Sequence, residues 1–164
     1  MSKWKLQDVE LQHLDTLAKA TIVYLVAVGG ISLIVAFCVF SIWPQLGMLG
    51  VAFAGLSGSA IAALNSCLDR YATGFEKEDG TSYPPETKCK EKFNRRLSRW
   101  FFTRPFLGLI VAPVLIWGID FFVYDPDRFR SSSQRLGFTG FMAGLLAKSV
   151  LDLIKGLFKN IFRT

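Results

Sequence analysis

From Ala20 to Leu68 the chain carries no charged residue. A water-facing domain needs charged positions at that density of apolar residues, so this stretch is not built for water. A helix crossing the hydrocarbon core needs about 20 mostly apolar residues. The stretch therefore holds two spans, Ala20 to Trp43 and Gly47 to Leu68, separated only by a Pro-Gln-Leu-Gly linker. So short a linker forces an antiparallel hairpin, with the Trp43 indole at the headgroup level of its turn.

A third span is expected from Pro105 to Tyr124, with Pro105 at its first helical position and Pro113 as a kink. A fourth is expected from Leu136 to Ile154, although it carries Lys148 and Asp152. Only helices and closed barrels satisfy their backbone groups in lipid. Four segments of helical length predict an all-α, four-span transmembrane bundle with added amphipathic interfacial helices. The apolar stretch is too long for a signal peptide, so the chain is expected to be mature throughout.

Basic residues divide unevenly between the two sides. Lys3, Lys5 and Lys19 precede the first span, and Lys155, Lys159 and Arg163 follow the fourth. Nine more, from Arg70 to Arg104, lie between the second and third spans, against Arg128, Arg130 and Arg135 on the other side. The positive-inside rule then predicts that both termini and the long loop are cytoplasmic. Anionic headgroups account for the net charge of +6, and nucleic acid is not an expected partner.

Residues 1 to 19 interleave Trp4, Leu6, Val9, Leu11, Leu14 and Leu17 with charges and read as an amphipathic surface helix. In the loop, residues 74 to 86 read as irregular. A helix is predicted over Thr87–Trp100, with Phe93, Leu97, Trp100 and Phe101 along one stripe and Arg95, Arg96 and Arg99 on the others. That pattern suits a helix in the interface plane. It either orients the third span or receives a cytoplasmic signal, from a protein or an anionic ligand.

No catalytic set, cofactor or metal site is expected. His13 is the only histidine, and Cys38, Cys67 and Cys89 have no paired spacing. Ser57, in Gly55-Leu56-Ser57-Gly58-Ser59, looks like a serine nucleophile loop but lacks the preceding strand and a histidine base. The informative residues are small ones. Ala54, Gly58, Ala62 and Ser66 form one i+4 stripe of the second span, and Gly55, Ser59 and Ala63 the next. Small residues let helix backbones approach in lipid. Two such faces, with Gly140 and Gly144 in the fourth span, predict contacts beyond one subunit, a homo-oligomer such as a tetramer.

Gly140, Gly144, Lys148, Asp152 and Gly156 share one i+4 row. Either the span ends near Ala147 and its charges snorkel, or the row lines a polar cavity or pore. In the second case Asn65 and Ser66 lie at similar depth, and Lys148 and Asp152 can pair. Asp120 is a further candidate, as a capping residue or as part of an acidic ring. An internal echo, Ala54-Gly55-Leu56 with Ala143-Gly144-Leu145, suggests two like-oriented hairpins.

Phe53-Ala54-Gly55, Arg104-Pro105-Phe106-Leu107-Gly108 and Met142-Ala143-Gly144-Leu145, with a closing basic helix, resemble small four-span bacterial proteins. Among these are membrane effectors of phage-defence operons of the Hailong type, paired with a nucleotide-handling partner. The resemblance implies a homo-oligomeric channel, closed until infection, whose opening depolarises the inner membrane in abortive infection. It carries over no gate or ligand residue. The alternative is a non-conducting scaffold or regulatory subunit for a cytoplasmic partner. A transporter would need broken helices and a polar midplane site, for which only Pro113 and Gly29-Gly30 speak.

Overall fold

In a computed structural model the described residues are 9–77, 82–84, 92–120 and 132–161. Four long helices dominate them: α1 (Val9–Ile42), α2 (Gly47–Thr73), α3 (Arg95–Asp120) and α4 (Ser133–Ile161). A 3-10 turn, Pro44–Leu46, joins α1 to α2. Two two-residue strands, β1 (Phe75–Glu76) and β2 (Ser82–Tyr83), pair antiparallel in the α2–α3 connection. Three helices, α1, α2 and α3, are long and apolar enough to cross a membrane. They point to a membrane location. The backbone of α4 is long enough as well, but Arg135, Lys148 and Asp152 interrupt its apolar run.

The middle of the bundle is α2. It packs against α1, α3 and α4, and buries 61% of its apolar window against 28% for α1 and 39% for α3. Its small residues explain this place. An added Cβ on Gly55 would stand 2.4 Å from both the Gly108 carbonyl oxygen and the Ala112 Cβ. One on Gly144 would stand 1.9 Å from the Gly55 carbonyl, and one on Gly58 would stand 2.1 Å from that of Phe141. Backbones of α2, α3 and α4 thus touch around Gly55, where no side chain fits. The two Ala-Gly-Leu triplets of the echo meet at this point.

This packing gives the small residues a role within one chain. Ala54, Gly55, Gly58 and Ser59 are buried inside one chain, Gly140 and Gly144 close on α2, and Ala62 is half-buried. These faces are filled within the subunit and do not by themselves argue for a homo-oligomer. On the other flank, Ser57 donates to the Gly29 carbonyl at 3.0 Å, and Gly29 approaches Ala60. Ser57 is fully buried in that packing role.

Two further expectations change. The helix in the loop starts at Arg95 rather than Thr87, with Asn94 as its cap: Asn94 Oδ1 accepts from the Leu97 amide at 2.9 Å. Before it, Phe93 is extended and bridges to Phe75, with its amide donating to the Gly74 carbonyl; residues 87–91 lie outside the described ones. Arg95 to Trp100 are therefore the first turns of the third long helix, which continues through Pro105 and Pro113. Most of the apolar stripe packs into the protein. Phe93 and Phe101 are buried with Ala18, Leu25, Ala63 and Cys67, and Leu97 packs against them. Only Trp100 stays open.

The N-terminal arm likewise forms no separate helix among the described residues. α1 runs unbroken from Val9, with Leu11, Leu14 and Ala18 buried; residues 1–8, with Trp4 and Leu6, lie outside the described ones. Polar side chains sew its lower half to its neighbours. Thr21 shares a buried hydrogen bond with Ser98 at 3.2 Å, and Tyr24 donates to the Phe102 carbonyl at 3.1 Å. Outside the uncharged stretch, Tyr71 donates to Asp15 at 2.8 Å, and Lys19 pairs with the same carboxylate at 2.6 Å.

Candidate functional site: a cationic cavity at the loop end of the bundle

Three helix segments carry polar residues one turn apart, and the fold points all three at one another. Ser66 and Arg70 lie near the end of α2, Trp100 and Arg104 in the first half of α3, and Lys148 and Asp152 in the second half of α4. With Leu97, Phe101 and Leu151 they line a cavity of about 300 Å³. An i,i+4 spacing puts both members of each pair on one helix face.

The depth of this cavity follows from backbone contacts. Ser59 donates to the Arg104 carbonyl at 2.8 Å, so Arg104 starts level with Ser59. Ser59 lies about 14 Å along α2 from Leu68, the end of the uncharged stretch, at 1.5 Å per residue. Lys148 follows one turn after Gly144, which touches Gly55, so Lys148 starts at a similar level. Both basic side chains originate inside the apolar slab and reach toward the loop end of the bundle, as long basic side chains do when their bases are submerged.

Burial separates the members. Arg104 is only 9% exposed, and Arg70 has its Nη1 withdrawn from solvent, whereas Lys148 and Asp152 are exposed at the rim. No ion pair joins Lys148 to Asp152 among the described residues, although their spacing allows one. With Arg70, Arg104 and Lys148 against Asp152 alone, the lining has an excess of positive charge. Such a lining suits an anion, since charge taken out of water is costly unless it is paired.

Of the residues singled out from sequence, Lys148, Asp152 and Ser66 come together here, joined by Leu97 and Trp100 of the expected loop helix. Asn65 points elsewhere and is exposed. Asp120 ends α3 at the opposite end of the bundle, and its side chain lies outside the described ones. Of the i+4 row of α4, Gly140 and Gly144 are packed on α2, whereas Gly156 has open space beside it. Sequence reasoning missed Arg70 and Arg104, which it took only as loop charges. Their spacing from Ser66 and Trp100 held the signal, but which helix faces meet is a tertiary fact.

A second polar hollow, of about 650 Å³, lies beside the start of α1 and α3. Glu10, His13, Glu76 and Lys77 line it together with Arg95, Arg96 and Arg99. Its acids are partly engaged, since Asn94 donates to Glu76 at 3.1 Å. Among the described residues there is no cluster of three histidine, cysteine or carboxylate side chains able to hold a metal ion.

The class this defines is an all-helical bundle with three membrane-length helices and a charged cavity at one end. Compared with protein-family models, curated proteins and solved structures, the chain matches none.

Proposed function

We propose that this chain is the subunit of a homo-oligomeric ion channel in a bacterial inner membrane, with the cationic cavity at its cytoplasmic mouth. One observation carries the reading. Three basic side chains and one carboxylate converge on a cavity whose walls begin inside the apolar slab, and charges at that depth usually serve an ion or substrate path. In this reading α4 is the fourth span, and both termini and the α2–α3 connection are cytoplasmic, as the distribution of basic residues supports. Four helices enclose no conduit wide enough for ions, so conduction takes several subunits about an axis. Charge at the mouth then biases which ions enter. The resemblance to phage-defence membrane effectors supports a channel whose opening depolarises the cell.

The test is ion flux from liposomes containing the purified chain, with Lys148→Ala and Asp152→Ala as variants. Flux is expected, with Lys148→Ala lowering anion entry relative to cation entry and Asp152→Ala doing the reverse. Liposomes that stay tight under every trigger tried, including a voltage step and an anionic cytoplasmic ligand, would overturn it.

A second reading, a non-conducting scaffold for a cytoplasmic partner, is favoured by the consumption of the small-residue faces within one chain. The 650 Å³ hollow supplies a mixed-charge surface for such a partner. Particle mass in detergent discriminates. Rings of four or more support the channel, and a monomer that co-purifies with one stoichiometric partner supports the scaffold.

A further inference from the structure

We infer that the cavity between α2, α3 and α4 binds a phosphate group, that of an anionic phospholipid headgroup in the adjoining leaflet. The inference deepens the channel reading and rests on it for the cavity's place at the mouth, while binding is measured without flux.

The chemistry asks for an anion. Arg104 is nine-tenths buried against the cavity wall, Arg70 has a guanidinium nitrogen out of solvent, and Lys148 stands at the rim. Guanidinium groups present planar forks that match phosphate oxygens, and Lys adds a point charge. Basic pockets between membrane helices on the cytoplasmic side take acidic headgroups. The volume, about 300 Å³, equals roughly ten waters at about 30 Å³ each. A phosphate with a small polyol fits, and Asp152 at the rim accepts hydrogen bonds from the polyol hydroxyls.

Lipid, rather than free phosphate, is favoured by what lies beside the cavity. Trp100 is 40% exposed and lines it, an indole at headgroup level. Below Trp100 the exposed face of α3 continues through Thr103 to Phe106, Ile110, Val114 and Trp117. A lipid with its phosphate in the cavity thus finds an apolar track for its acyl chains on the same helix.

The experiment uses the full chain in detergent, with phosphatidylglycerol, phosphatidylcholine or inorganic phosphate added. Retained lipid is counted by native mass spectrometry, and the thermal midpoint is followed in parallel. Phosphatidylglycerol is expected to be retained about tenfold more tightly than phosphatidylcholine and to raise the midpoint. Arg70→Gln and Lys148→Gln, both less buried than Arg104, are each expected to weaken retention about tenfold, the loss of one charge-assisted hydrogen bond. Equal retention of the two lipids, or full retention by both variants, overturns the proposal. If inorganic phosphate raises the midpoint and phosphatidylglycerol adds nothing, the phosphate comes from solution and the lipid assignment falls. Lipid bound by a chain that conducts nothing would leave this inference standing and the channel reading fallen, and flux without lipid discrimination would do the opposite.

Discussion

Gly55 is where three backbones share one point, and the consequences of changing it or its neighbours are sharp. An alanine at Gly144 would drive a methyl group to 1.9 Å from the Gly55 carbonyl, a backbone atom that cannot swing aside. Overpacking of this kind costs about 1–3 kcal/mol. Gly144→Ala should therefore lower the detergent unfolding midpoint clearly. Gly30→Ala, inside α1 where an added Cβ meets nothing within 4 Å, should instead raise it, since alanine is favoured over glycine in a helix interior by about 0.5–1 kcal/mol. The stripes of small residues were readable in the sequence, because glycine and alanine at i+4 signal close approach whatever the partner. What they approach was not readable. The same spacing serves a neighbouring helix or a neighbouring subunit, and only coordinates distinguish the two.

A different residue-scale effect sits before the uncharged stretch. Burial pushes the Asp15 carboxyl up, but the Lys19 ammonium and the Tyr71 hydroxyl together outweigh it, so Asp15 titrates below its ordinary value. A carboxyl that is more acidic folded than unfolded contributes stability above its unfolded pKa, about 3.9, and loses it as pH falls through the folded value. The fold should lose a small increment of stability below about pH 4. Asp15→Asn should remove that increment and leave the remaining acid response unchanged. A thermal midpoint measured from pH 7 to pH 3 for both proteins checks this.

At the scale of elements, α3 departs most from expectation. Thr87–Trp100 reads as a separate amphipathic helix because Phe93, Leu97, Trp100 and Phe101 sit at helical spacing beside basic residues. A helix lying on a membrane and the submerged head of a spanning helix have the same periodicity. The choice fell to Phe93 and Phe101, which find apolar partners in Ala18, Leu25, Ala63 and Cys67 and are buried to within 1%. Protein offered more contact than lipid headgroups. In sequence Pro105 suits a helix start, because its missing amide is harmless there. Inside α3 it leaves one intrahelical bond unmade, and that cost is carried by the packing of its turn against α2. Truncating the buried head tests this. Phe101→Ala should cost about 3–5 kcal/mol, as for a buried aromatic elsewhere, whereas Trp100→Ala should cost far less stability.

For the whole molecule, the turn of the α1–α2 hairpin was legible almost to the residue, since hydrocarbon imposes length and neutrality on any helix that crosses it, whereas the outer ends were not: α1 begins at Val9 and α2 runs on to Thr73. The cavity was half legible. Lys148, Asp152 and Ser66 stood out as charges or polar groups where lipid is expected, while Arg70 and Arg104 were hidden among loop residues by their position near span ends. The membrane reading itself has a plain check. The purified chain should need detergent or lipid to stay dispersed, and a folded, monodisperse particle in detergent-free buffer would overturn it.

The submerged arginine has one more effect, on the bilayer rather than on the protein. In the proposed four-span arrangement α1 offers lipid an uncharged length from Ala20 to Trp43, about 36 Å, whereas α3 offers Pro105 to Ile119, about 22 Å, before Asp120, and α4 Leu136 to Ala147, about 18 Å, before Lys148. Hydrocarbon about 30 Å thick suits neither flank. The molecule is a wedge in hydrophobic height, and lipids around it must stretch on one flank and pinch on the other, or the bundle must lean. Such mismatch costs fractions of a kcal/mol per ångström and is relieved when pinched flanks meet. Short-chain bilayers should therefore raise the thermal midpoint, and long-chain bilayers should drive copies together along the α3–α4 side.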